Sequence, residues 1–142
     1  MLVSTILEGC INETLAAAEA AWLADQTTQV SIARLLKTIA EDESRHAALG
    51  WRTVRWILES HPELTERARE TFASARPHRY ARPTETTDDA WMTNYGRMPQ
   101  NERTALISDV WEHVITPCAE AMLNTTTNMR TNGRAEVSMT RT

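Results

Sequence analysis

Hydrophobic positions in the first sixty residues recur at helical spacing. Leu2, Ile6, Cys10, Ala17, Ala20 and Ala24 fall on one side, which predicts a long Ala-rich helix over residues 4–24. Asp25 to Gln29 is a short polar connection. Ile32, Leu36, Ile39, Ala47, Val54 and Leu58 then keep the same period, with Ala40 on the same face, and predict a second long helix over residues 30–59. That helix should stop at His61-Pro62, because the residue before a proline resists the helical conformation. Two long amphipathic helices joined by so short a link pack as antiparallel neighbours, so residues 1–60 are expected to form an αα-hairpin.

The pattern weakens beyond Pro62. Residues 62–75 can form a short helix, and residues 76–87, rich in Pro and Arg, are expected to be loop. Asp88-Asp89 could cap a short turn running through Trp91 and Tyr95. Asn101 is a suitable N-cap for a further helix over residues 102–123, carrying Leu106, Val110, Trp111, Val114 and Leu123. Pro117 lies inside that stretch and predicts a kink or local break. Residues 125–142 are rich in Thr, Asn and Arg without periodicity and are expected to be a disordered tail after a helical domain over 1–124.

At 142 residues the chain has room for one domain. Only 4 Gly and no alternating β-branched pattern argue against sandwiches, barrels and Gly-rich nucleotide folds, leaving an all-α class. The 15 basic and 19 acidic residues are interspersed, so no nucleic-acid partner is expected. No apolar run approaches the roughly 18 residues of a membrane span, so no membrane partner is expected either. The first residues lack a basic leader and Glu8 interrupts their apolar stretch, which points to a cytoplasmic protein. Cys10 and Cys118 are too few and too far apart for a disulfide framework and read as two buried, reduced thiols.

The segment with candidate chemistry is Ile39-Ala-Glu-Asp-Glu-Ser-Arg-His-Ala47. Glu43 and His46 are three apart, so they share a helix face, and that face continues the apolar side of the second helix. A carboxylate and an imidazole turned inward need compensation for their burial. A bound iron, manganese or zinc ion would supply it. The preceding helix offers two carboxylates near the same level, Glu8 and Glu13. On a regular helix these two point about 140° apart, so both cannot face one metal unless a π-bulge intervenes. Glu13 lies on the apolar side, whereas Glu8 lies on a more polar one and could close a capping box with Thr5. Either remains a candidate ligand.

Glu8-Gly-Cys-Ile-Asn-Glu-Thr-Leu-Ala-Ala, followed by Ile-Ala-Glu-Asp-Glu-Ser-Arg-His-Ala-Ala-Leu-Gly-Trp-Arg, resembles the third and fourth helices of ferritin-like carboxylate proteins. The likeness covers residues 5–58, and the stretch from Asn101 to Leu123 resembles, less specifically, an accessory C-terminal helix of that group. It implies the hairpin of a ferritin-like four-helix bundle with a further C-terminal helix, and a di-iron oxidoreductase or iron-handling function; manganese is an alternative metal. Glu43 would bridge two metal ions, His46 would ligate one, and Glu13 or Glu8 would be a terminal ligand.

A complete ferritin-like domain has two more helices ahead of this pair, with another Glu and another Glu-x-x-His. The sequence does not contain them, and His61, His78 and His113 lack the spacing to replace them. The chain therefore offers half of a two-metal site. Either two copies pair about a two-fold axis to complete the bundle, or the chain is a truncated, metal-free helical interaction module. A ring-like storage assembly of such hairpins is a third expectation. In this reading Trp51 and Trp56 pack against the C-terminal helix, and Arg45 pairs with Glu41 or Asp42.

Overall fold

The computed structural model describes residues 1–75 and 90–125, and these are all-α, with no strand among them. The first rod, α1, is one continuous helix in three segments: Leu2–Ser4, Thr5–Asn12 and Glu13–Gln26. Its middle segment is π-helical. The second rod, α2, spans Val30–Ser60, and its last turn closes where the His61 N–H donates to the Ile57 carbonyl at 2.7 Å. A 3₁₀ turn, Pro62–Leu64, leads into α3, Thr65–Ser74. After the undescribed stretch come α4, Ala90–Asn94, and then α5, which runs through Gln100–Val110 and a second π segment, Trp111–Ile115, and stays helical over 116–125.

α1 and α2 lie antiparallel, with Gly9 against Gly50 and Thr14 against Trp51. The apolar stripe of α1 is buried as its periodicity predicts, from Leu2 through Ala24. Ile6, Cys10, Ile11, Val54, Leu58 and Ile115 are fully enclosed, so α1, α2 and α5 meet in one core, joined by Ala68 and Phe72 of α3. Each enclosed Ile or Leu contributes about 1.5–3 kcal/mol of burial. Leu23, Ala24, Leu36 and Met98 form a smaller cluster near the hairpin turn. That turn is clasped by α4: the Thr28 N–H and hydroxyl both donate to Asn94 Oδ1, and the Thr27 hydroxyl donates to the Asn94 carbonyl. Arg103 Nε donates to Glu19 at 3.0 Å and ties α5 to α1. Among the described residues no helix is long and apolar enough to cross a membrane.

Several local expectations change. α5 starts at Gln100 behind Pro99, with no side-chain cap, so Asn101 is inside the helix rather than capping it. Pro117 does not break the rod. A proline clashes with the carbonyl four residues back, here that of His113, and the wide turn Trp111–Ile115 surrounds that carbonyl. Thr5 and Glu8 form no capping box, because the helix already begins at Leu2 and the Thr5 hydroxyl donates to the Met1 carbonyl. Trp51 stacks on Phe72 of α3, ring centroids 5.5 Å apart, and packs against the core that α5 shares. Trp56 is exposed. The expected loop over 76–87 and Asp88-Asp89 lie outside the described residues, as does the expected tail beyond residue 125.

Candidate metal centre

The crossing of α1 and α2 places three donors together. Single ligand atoms of Glu13, Glu43 and His46 all lie within 4.8 Å of one another. His46 Nδ1 is 3.7 Å from a Glu13 oxygen on the opposite helix and 3.8 Å from a Glu43 oxygen on its own. The three-residue spacing of Glu43 and His46 stacks them on one face of α2, and the antiparallel register presents Glu13 to both.

The two carboxylates crowd each other. Glu13 takes a proton more readily than an ordinary glutamate, first because its side chain shares a hydrogen bond with Glu43, then through partial burial and the negative charge of Glu43. His46 opposes this shift and Glu8 adds to it. A cation between the two carboxylates would replace the shared proton, and two oxygens with one imidazole nitrogen suit iron, manganese or zinc. By the chemistry of its donors the cluster fits such an ion.

Glu8 stands outside the group, exposed, with one oxygen accepting from the Asn12 amide at 2.8 Å. The π segment explains why it is nonetheless near. The Glu13 N–H donates to the Glu8 carbonyl, five residues back, so the two residues stack along the helix instead of diverging as they would in a regular α-helix. The seam is also wetter than the apolar pattern suggests. Glu13 and Glu43 are partly buried, but the His46 side chain is 63% exposed, which corrects the expectation of an inward imidazole.

Two features here have no counterpart in the ligand motif. Gly9 and Gly50 let the two helices touch one turn from Glu13 and His46 respectively. Trp51 Nε1 donates to the Thr14 hydroxyl at 3.2 Å, beside Glu13. The available signal for the first was a glycine kept inside each of two long helices, where it costs about 1 kcal/mol relative to alanine.

No protein-family model, curated protein or solved structure matches the chain.

Proposed function

We propose that this protein is a ferritin-like metal-binding protein, a di-iron oxidoreductase or iron-handling protein, in which each chain supplies half of a carboxylate and histidine two-metal site. The observation that supports it is the convergence of Glu13, Glu43 and His46 from two helices onto one point, with the carboxylates close enough to share a proton. In this reading Glu43 and Glu13 hold the metal through oxygen and His46 through an imidazole nitrogen. Iron bound there would supply redox chemistry toward dioxygen or peroxide. The chain's own part is to hold two like charges at close range, so that a divalent ion is favoured over two separated carboxylates. Self-association would bring a second set of the same donors and complete a four-helix bundle.

Anaerobic Fe(II) titration of the native protein, with native mass measurement, tests this reading. About two ions per pair of chains is expected. A stoichiometry near zero, for Fe(II) and for Mn(II), would leave the second reading, a metal-free helical interaction module. The exposure of His46 favours that alternative, since a solvated helix face needs no ion.

A further inference from the structure

α2 carries a second apolar face that nothing among the described residues covers. Leu35, Ile39, Leu49 and Trp56 are exposed large hydrophobics, at 60%, 38%, 57% and 61%. They alternate by four and three residues with Asp42, His46 and Thr53 in the intervening places, which is the seam spacing of one helix packed along another. Four large exposed apolar side chains at seam positions of one charged helix, interrupted by Asp42 and His46, give that helix a face suited to a partner helix.

The stripe is nearly symmetric about His46. Ile39 and Thr53 are equidistant from it, and so, within one residue, are Leu35 and Trp56, and Asp42 and Leu49. Running α2 antiparallel against a copy of itself therefore sets Leu35 against Trp56 and Ile39 against Thr53, with the two His46 side chains at the axis. A surface that complements itself in this way is the requirement for an isologous two-fold contact; a foreign partner places no such condition on the spacing. Charge agrees. The exposed outer edge of the stripe carries Arg34, Glu41, Arg52 and Glu59, and the same pairing brings Arg34 near Glu59 and Glu41 near Arg52 of the other copy. Arg45, which would approach its own copy, is already paired with Asp42.

We infer that the occupant of this stripe is a second copy of the chain, with α2 packed antiparallel on α2 and its dyad at His46. The choice of occupant rests on the half-site reading above, because the dyad would bring two sets of Glu43 and His46 to one axis.

The test uses the full chain at micromolar concentration, by sedimentation equilibrium with and without Fe(II). Wild type is expected to be dimeric, and Leu49→Arg or Trp56→Arg to weaken association by about thirtyfold or more while helicity is retained. In a Cys118→Ser background, the Ile39→Cys, Thr53→Cys double variant is expected to give a covalent dimer under mild oxidation, and each single variant little. This arm reads orientation at two facing seam positions without placing a charge in the seam. A monomeric wild type, with and without Fe(II), overturns the inference, as does a dimer that survives both Arg variants without the Ile39–Thr53 crosslink. A dimer that forms through the stripe but takes up no Fe(II) leaves the inference standing and removes the metal-site reading instead.

Discussion

Gly9 and Gly50 touch backbone to backbone: a Cβ built on Gly50 would lie 2.3 Å from the Gly9 carbonyl oxygen and 2.8 Å from its Cα. No rotamer change relieves such a clash, because the obstructing atoms are main chain. Gly50→Ala must therefore push α1 and α2 apart. A Cβ on Gly9 meets the Gly50 Cα at 3.2 Å and the Thr5 Cγ2 at an ordinary 3.7 Å, and a shift of a few tenths of an ångström accommodates it. The expected order is a loss of about 2–3 kcal/mol for Gly50→Ala. Gly9→Ala is expected to be near neutral, its strain offset by a helix-propensity gain of up to about 1 kcal/mol. Urea denaturation of both variants checks the order; equal effects would mean that the helices do not meet at these residues.

The Glu13–Glu43 pair sets a pH dependence whose sign is fixed by the raised pKa of Glu13. A carboxyl that binds its proton more tightly when folded stabilises the fold while protonated. That contribution is complete below its ordinary value of 4.5 and is lost as pH rises through its elevated folded value. At neutral pH and without metal, Glu43→Gln should thus raise the melting temperature, by roughly 1–3 °C for a pair this accessible. Below pH 4 the difference should vanish. With Mn(II) or Fe(II) present the order should invert, since only the wild type keeps both carboxylates. Thermal melts across pH, with chelator and with metal, read all three.

The periodicity of α2 is enough to place Glu43 and His46 on one face, and the short polar link is enough to bring α1 alongside. The level of the crossing is legible only approximately. Folding about residue 27 sets Glu43 opposite residue 11, whereas the structure has Glu13 facing both Glu43 and His46. What the pattern cannot carry is the π segment Thr5–Asn12, since a helical wheel assumes one hydrogen-bond step throughout. The exposure of His46 and Trp56 is invisible for another reason. A residue at seam spacing reads the same in the sequence whether the fold covers it or leaves it exposed.

The two thiols should behave differently. Cys10 is fully enclosed between α1 and α5, and burial first, then the proximity of Cys118, pushes its pKa up to about 12. Cys118 is exposed, against the expectation of two buried thiols. Only a thiolate attacks a disulfide reagent. At pH 8 one cysteine per native chain should therefore react quickly, and Cys118→Ser should remove that phase. In denaturant both react. Rapid labelling of Cys10 in the native state would mean that the α1–α5 core opens readily.

Asn94 holds the hairpin turn from outside it, accepting the Thr28 N–H at 3.0 Å and the Thr28 hydroxyl at 3.1 Å on one oxygen. The Thr27–Gln29 link has left the helical conformation, so its amides need partners from elsewhere. Asn94→Ala removes the acceptor and strips α4 of its side-chain tie to the turn. Its main-chain carbonyl bond to Thr27 remains. A loss of about 1 kcal/mol is expected, the usual worth of a partly exposed hydrogen-bonding group. Asn94→Asp should restore it, because a carboxylate accepts from the same donors. Faster amide exchange at Thr28 in the alanine variant, with exchange at the Val54–Leu58 core unchanged, is the readout. If both regions loosen together, α4 is stabilising the whole hairpin and not its turn alone.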